Sequence, residues 1–324
     1  MSEKLATTTE GISLGFKQRL AASDQPWFLY GAFVLLIVGF TIANPIFLSS
    51  GNLLNILNQT ALVTIMACGV GLVIITGEID LSVGSVLALS GVSAALFMQD
   101  VTENWFLGAL AGIVVGALVG LVNGVLTARF LIPSFLVTLG TLSVARGIAL
   151  IVTGTSPVLV TDPTFWAVFA EASVVGIPIP IVWTIVVIAI TWLLLHFGII
   201  GRRIYATGGN LSAAKFSGIN TRAVKIFVFV FSGALAGLAG VIIAARGHAI
   251  RPDVASGIEL DVLAAVILGG TSLFGGKGKI YGIILGSLII GILNNGLVLM
   301  GIDPSIQLTI KGALVIIAVA FGRR

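Results

Sequence analysis

Between Trp27 and Phe321 the sequence turns apolar ten times, each time for about the length a helix needs to cross a hydrocarbon core. The runs fall near 27–44, 57–76, 81–98, 106–128, 135–152, 179–197, 224–245, 260–275, 280–299 and 306–321, the eighth being the weakest. In lipid every backbone polar group must be bonded inside the protein, which confines such runs to helices. With 57% hydrophobic and only 9% charged residues among 324, the chain does not have the composition of a water-soluble globule. The expectation is an all-α integral membrane protein with about ten transmembrane helices. A polar segment, 1–26, precedes one polytopic domain, 27–321, and a short tail, 322–324, follows it. The first run lacks a small-residue cleavage pattern and reads as a span that stays in the membrane.

Orientation follows from the basic residues. Five of the 17 Lys and Arg (Arg202, Arg203, Lys215, Arg222 and Lys225) crowd into Gly201–Lys225, between the sixth and seventh runs. The positive-inside rule puts this island in the cytoplasm, and an even number of spans puts both termini there too. Thirteen of the 17 then fall inside, while only Arg246 and Arg251 fall outside. One shifted span would destroy that segregation. Topology therefore accounts for the net charge of +4, and nucleic acid is not needed to explain it. Within the island, Asn210 is placed to cap a short helix with Leu211 and Ala214 on its apolar side, and Gly218 is placed to end it. Two turns of helix are marginal in water, so this one needs a surface, either its own bundle or a cytoplasmic partner.

Two acidic stretches stand where glycine interrupts an apolar run: GEIDLSVGS (77–85) and GIELDVLAA (257–265). A carboxylate at the bilayer centre costs about 3 kcal/mol on insertion scales, so Glu78, Asp80, Glu259 and Asp261 belong at span ends or in protein-lined crevices. Asp80 opens the third run and Asp261 the eighth, five runs later. That odd offset is what two inverted five-helix halves would produce, although a chance likeness of two short motifs gives it as well. Arg146, near the middle of the fifth run, should face the interior against a carboxylate or helix carbonyls. Lys311 is expected to snorkel to an interface. Asn123, Asn294 and Asn295 suit interhelical hydrogen bonds or contact with a passing solute, with the balance toward structure. Gly108, Gly112, Gly116 and Gly120 repeat every four residues, the spacing of close helix packing or subunit contact. The connection from Thr153 to Pro178, with three prolines and Trp166, reads as an outer segment resting on the membrane face.

No catalytic or metal-binding set is apparent. The single cysteine, Cys68, lies in an apolar run, and His196 and His248 are expected at opposite faces. The loop GGTSLFGGKGK (269–279) has the look of a phosphate loop. However, Thr271 stands where its first glycine belongs and Gly278 where Ser or Thr should follow Lys277, so it reads as a turn at the inner end of the eighth run. The residues describe a polytopic protein suited to passing a solute, with no cofactor bound by the chain itself.

Four stretches resemble the permease subunits of bacterial ABC importers for monosaccharides, the ribose, xylose, arabinose and galactose group. They are TGEIDLSVGSVLALSG (76–91), GRRIYATGGNLSAAKFSGIN (201–220), ELDVLAAVILGGTSLFGGKGKIYG (259–282) and NNGLVLMGI (294–302). The resemblance implies an inner-membrane protein that works as a pair of permeases. Its partners would be a separate ATPase, which binds ATP and magnesium, and a periplasmic sugar-binding protein. It also implies that Asn210, Ala213, Ala214 and Gly218 belong to a coupling helix gripped by the ATPase. At Glu78 the chain departs from the family, whose members more often carry glycine; a Glu78 lining the path would shift preference away from ribose. The main alternative is a secondary transporter, with Glu78, Asp80, Glu259, Asp261 and Arg146 as an ion relay.

Overall fold

The computed structural model describes residues 27–321; segment 1–26, with Lys4, Lys17 and Arg19, and tail 322–324 lie outside the described residues. Each apolar run carries a helix. In chain order these are α1 (Trp27–Ala43), α2 (Ser50–Ile75), α3 (Val83–Asp100), α4 (Trp105–Ala128) and α5 (Ser134–Thr153) in the first half. The second half contains α7 (Ile179–His196), α10 (Thr221–Gly247), α11 (Ile258–Leu268), α12 (Ile280–Leu299) and α13 (Pro304–Phe321). Short helices lie between: α6 (Pro163–Trp166) between α5 and α7, and α8 (Ile199–Gly209) and α9 (Leu211–Phe216) between α7 and α10. Among the described residues seven helices (α2, α3, α4, α5, α7, α10 and α12) are long and apolar enough to cross a membrane.

The exact count of ten spans is not confirmed among the described residues, and the eighth run is the clearest departure. α11 has 11 residues, about 16 Å at the rise of a helix and roughly half of a bilayer's ~30 Å core. Gly269 caps it, and Gly270, Gly275 and Gly276 then take positive φ (+80°, +82° and +74°), a backbone that no α-helix continues through.

The core is built on an antiparallel pair, α2 and α10. Every residue of α2 from Thr60 to Ile75 is buried. Gly69 meets the backbone of Ser232 midway, and near the outer end the Arg246 guanidinium donates to the carbonyl and side-chain oxygens of Asn58. Packing partners then repeat between the halves. α2 packs on α11 and α12 as α10 packs on α3 and α4; α3 packs on α4 and α5 as α11 packs on α12 and α13. This is the pattern of two related five-helix units. The four-residue glycine repeat of α4 serves this core: side chains at Gly116 and Gly120 would strike the carbonyl oxygens of Gly233 and Phe229 on α10. The repeat is thus an intrachain seam rather than a subunit surface.

The outer connection 153–178 forms a folded cap. Strand β1 (Val158–Leu159) pairs antiparallel with β4 (Ala249–Ile250), and β2 (Ser173–Val174) pairs with β3 (Ile177–Pro178). Phe165 and Phe169 are buried against one another, and Phe169 stacks on Trp183. Trp166 stacks on His248 with 3.9 Å between centroids, and His248 Nε2 lies 2.6 Å from Glu171.

Candidate functional site: two interrupted helices above a coupling segment

Both acidic stretches lie where the chain turns back into the bundle without completing a helix. After α2 ends, 76–82 re-enters and starts α3; after α10 ends, 251–257 re-enters and starts α11. The two starts touch. A side chain at Gly84 would collide with the Glu259 carboxylate and the Ala255 carbonyl, so the first turns of α3 and α11 are in contact. From that point they diverge: α3 passes Gly240 of α10 on its way to the outer cap, while α11 runs beside α12 to the inner loop 269–279. Glu259 thereby sits against the first turn of α3, where the helix dipole favours a negative charge.

Non-helical backbone inside a membrane needs partners, and α5 supplies them to both interruptions. Ser134 Oγ accepts from the Ile79 N–H at 3.0 Å, and Thr138 donates to the Ile79 carbonyl. Two turns further on, Arg146 donates to the carbonyls of Pro252 and Val254 at 2.8 and 2.7 Å. Arg146 therefore faces inward as expected, but onto the carbonyls of an irregular segment rather than those of a helix.

Asp80 is 3% exposed and has no cation beside it. Its Oδ1 accepts from the Ser82 N–H and hydroxyl at 3.0 and 2.7 Å, and its Oδ2 from the Ser232 hydroxyl at 3.0 Å. Asn123 donates to Ser82 Oγ at 3.0 Å and accepts from Thr141 at 2.6 Å, joining α4 and α5 to the same network. Asp261 is held differently. Lys311 Nζ reaches its Oδ2 at 2.9 Å, with Asn294 Nδ2 at 3.4 Å. The lysine does not snorkel, because a partly buried carboxylate on α11 lies within its reach. Asn294 Oδ1 is buried without a partner. Asn295 makes a reciprocal amide pair with Asn52, 3.0 Å both ways, and ties α12 to α2.

Below the interruptions lies the basic island. Asn210 Oδ1 accepts from the Ala213 N–H at 2.9 Å, Ala214 is buried, and Gly218 at φ +79° ends α9. Phe216 is 93% exposed at its tip. The preceding helix, α8, was not foreseen. It fits so closely that a side chain at Gly208 would strike the Ile75 carbonyl and the Gly276 N–H. Tyr205 donates to the Gly278 carbonyl at 2.7 Å, and Gly276 N–H donates to the Ile75 carbonyl at 2.8 Å. The loop 269–279 is therefore an ordered strap rather than a loose turn. Glu78 pairs with Lys225 at the start of α10, so the island is tied to the first interruption through an ion pair, and α8 is tied to the strap that follows α11.

Sequence reasoning missed Ser82, Ser134, Thr138, Thr141, Ser232 and Lys225. A signal existed for three of them: Ser134, Thr138 and Thr141 recur at helical spacing on one face of α5. Among the described residues no group of three His, Cys, Asp or Glu could hold a metal.

An 11-residue helix among long apolar ones, buried carboxylates that are hydrogen-bonded or ion-paired, and a basic segment packed on the end of α2 and on the strap define a multi-pass membrane transport protein. A family model described as "Branched-chain amino acid transport system / permease component" matches residues 52–319. The ribose import permease protein of Escherichia coli (strain K12) is 41% identical over 292 residues, 89% of this chain and 90% of the relative. That of Bacillus subtilis (strain 168) is 41% identical over 295 residues, 91% of each. The D-allose transport system permease protein of Escherichia coli (strain K12) is 38% identical over 323 residues, 96% of this chain and 99% of the relative. No solved structure matches the chain. The chain belongs to this permease family, whose members are inner-membrane transport subunits of ABC importers rather than enzymes.

Proposed function

We propose that the chain imports a monosaccharide, ribose or a similar sugar, as the membrane channel of an ATP-driven importer. A second permease copy, a separate ATPase that binds ATP and magnesium, and a periplasmic sugar-binding protein complete the machine. The observation that carries this reading is the packing of α8 against the end of α2, beside the first interruption, and against the strap that follows α11. A push on the exposed Phe216 end of α9 has a short route, through Gly208 and through Lys225–Glu78, to the segment that starts α3, and through Gly276 to the strap that follows α11.

Charge supports a neutral cargo. Glu78 is taken by Lys225, Asp261 by Lys311 and Arg146 by backbone carbonyls, so these groups offer little free charge to a solute. The same pairing takes Glu78, Asp261 and Arg146 out of an ion relay, and Asp80 is left with neutral donors. The names of the relatives favour a sugar, while the family description also covers branched-chain amino acids.

The test is reconstitution of the chain with its ATPase and binding protein in vesicles. Uptake of ribose or a related sugar should require ATP and persist after ionic gradients are collapsed. Accumulation driven by a proton or sodium gradient without ATP would overturn the reading, and ATP-dependent uptake of leucine but not sugar would move it to the amino-acid branch.

A further inference from the structure

The loop that imitates a phosphate loop encloses a cavity. It has a volume of about 540 Å³ and is lined by His196, Tyr205, Lys277, Lys279, Tyr281 and glycine backbone of the strap. From these residues we infer a binding site for the phosphate of an anionic phospholipid headgroup in the inner leaflet.

The chemistry of the lining comes first. Two lysines face the space and no carboxylate does. The ion pairs among the described residues leave Lys277 without an acidic partner, and the Lys279 ammonium lies 5.6 Å from the Tyr281 ring centroid. Tyr281 is in the first turn of α12, a helix of 20 residues whose N-cap, Lys279, offers no side-chain bond to the turn it precedes. The open N–H groups and the dipole of that end add to the lysines' field. The lysines are also held in place. Ser272 N–H donates to the Lys277 carbonyl at 3.0 Å, Tyr205 fixes Gly278, and Gly276 is tied to Ile75.

Position selects a lipid as the source of the phosphate. The cavity lies between the inner ends of α7 and α12, two spans that pack on each other. The outward face of α7 presents Ile190 and Leu193, and its inner end presents Trp192 and Phe197, all exposed. Trp192 clusters with His196 and Phe197 at centroid distances of 5.5 and 5.1 Å. An aromatic cluster at the end of a lipid-facing helix marks headgroup depth. Basic pockets between spans on the cytoplasmic side are suited to anionic headgroups. A nucleotide is a poor occupant, because the loop has neither the first glycine nor the Ser or Thr of a nucleotide-binding loop.

The permease, assembled with its ATPase in nanodiscs of phosphatidylcholine doped with photoreactive phosphatidylglycerol, tests the site. Label is expected within residues 269–281. It should fall about fivefold for each lysine removed in Lys277→Gln and in Lys277→Gln with Lys279→Gln, and survive the paired Arg substitutions. Equal labelling of wild type and the double Gln variant would overturn the site. Loss of label to excess inorganic phosphate would overturn the lipid in favour of free phosphate. Should the Gln pair fail to insert, photoreactive phosphatidylcholine in the wild type serves instead: labelling of 269–281 as strong as with phosphatidylglycerol overturns the proposal.

Discussion

The interruptions before α3 and α11 occupy equivalent places in the two halves, yet they hold their carboxylates in opposite ways. Asp80 is enclosed by three neutral donors, two from Ser82 and one from Ser232 on α10, every one of them directed at it. Asp261 is held by one lysine from α13 and by a long bond from Asn294, whose own amide oxygen has no partner. A carboxylate bonded by several fixed hydroxyls and an N–H is part of the frame, because moving any element breaks bonds that the interior cannot replace. One long, flexible lysine can follow its partner, and an unpartnered amide beside it leaves a bond for a second arrangement to make. The comparison casts the first interruption as a fixed pivot and the second as the part that moves against α13.

Four substitutions test this contrast. The largest effect is expected from Gly208→Val, which drives a side chain into the Ile75 carbonyl and the Gly276 N–H and so separates α8 from the end of α2 and from the strap. ATP-driven uptake should fall to background while the chain still inserts, read as sugar accumulation against membrane abundance; normal uptake would remove that route. Asp80→Ala comes next. It strands one N–H and two hydroxyls, a loss of about 3 kcal/mol or more, and should lower the thermal stability of the solubilised protein. If it lost transport with stability intact, the pivot assignment would fail.

Asp261→Asn should behave in the reverse sense, with abundance near normal and uptake reduced about tenfold, the unpaired Lys311 costing about 1–2 kcal/mol at this partly buried site. Adding Lys311→Met should recover part of the loss, and purely additive effects in the double-mutant cycle would show that the pair does not act as a unit. Glu78→Gln breaks a pair buried to a similar degree and is expected to cost about 1 kcal/mol. Its signature is ATP hydrolysis that continues while uptake per ATP drops, measured on the same vesicles.

Several features of this protein were fixed by the order of its residues alone. A bilayer admits only helices of a certain length, so the apolar runs announced the spans, and the clustering of Lys and Arg set their direction. Asn210 and Gly218 bounded α9 through local backbone chemistry, legible wherever a capping side chain and a positive-φ glycine flank a short helix. Partners distant in the chain were another matter. Lys311 pairs with Asp261, Lys225 with Glu78, and Ser232 with Asp80 across separations of 50, 147 and 152 residues. Sequence periodicity gives each helix a face but not the helix it will meet. The resemblance to monosaccharide permeases named the trade of the chain, and the tertiary structure decided which charges are spent on one another. It also decided that the eighth run stops halfway, because only packing could show Gly269 lying against Gly282 and the strap closing over Ile75. Hydrophobicity is summed along a chain, whereas a buried charge is satisfied only in space.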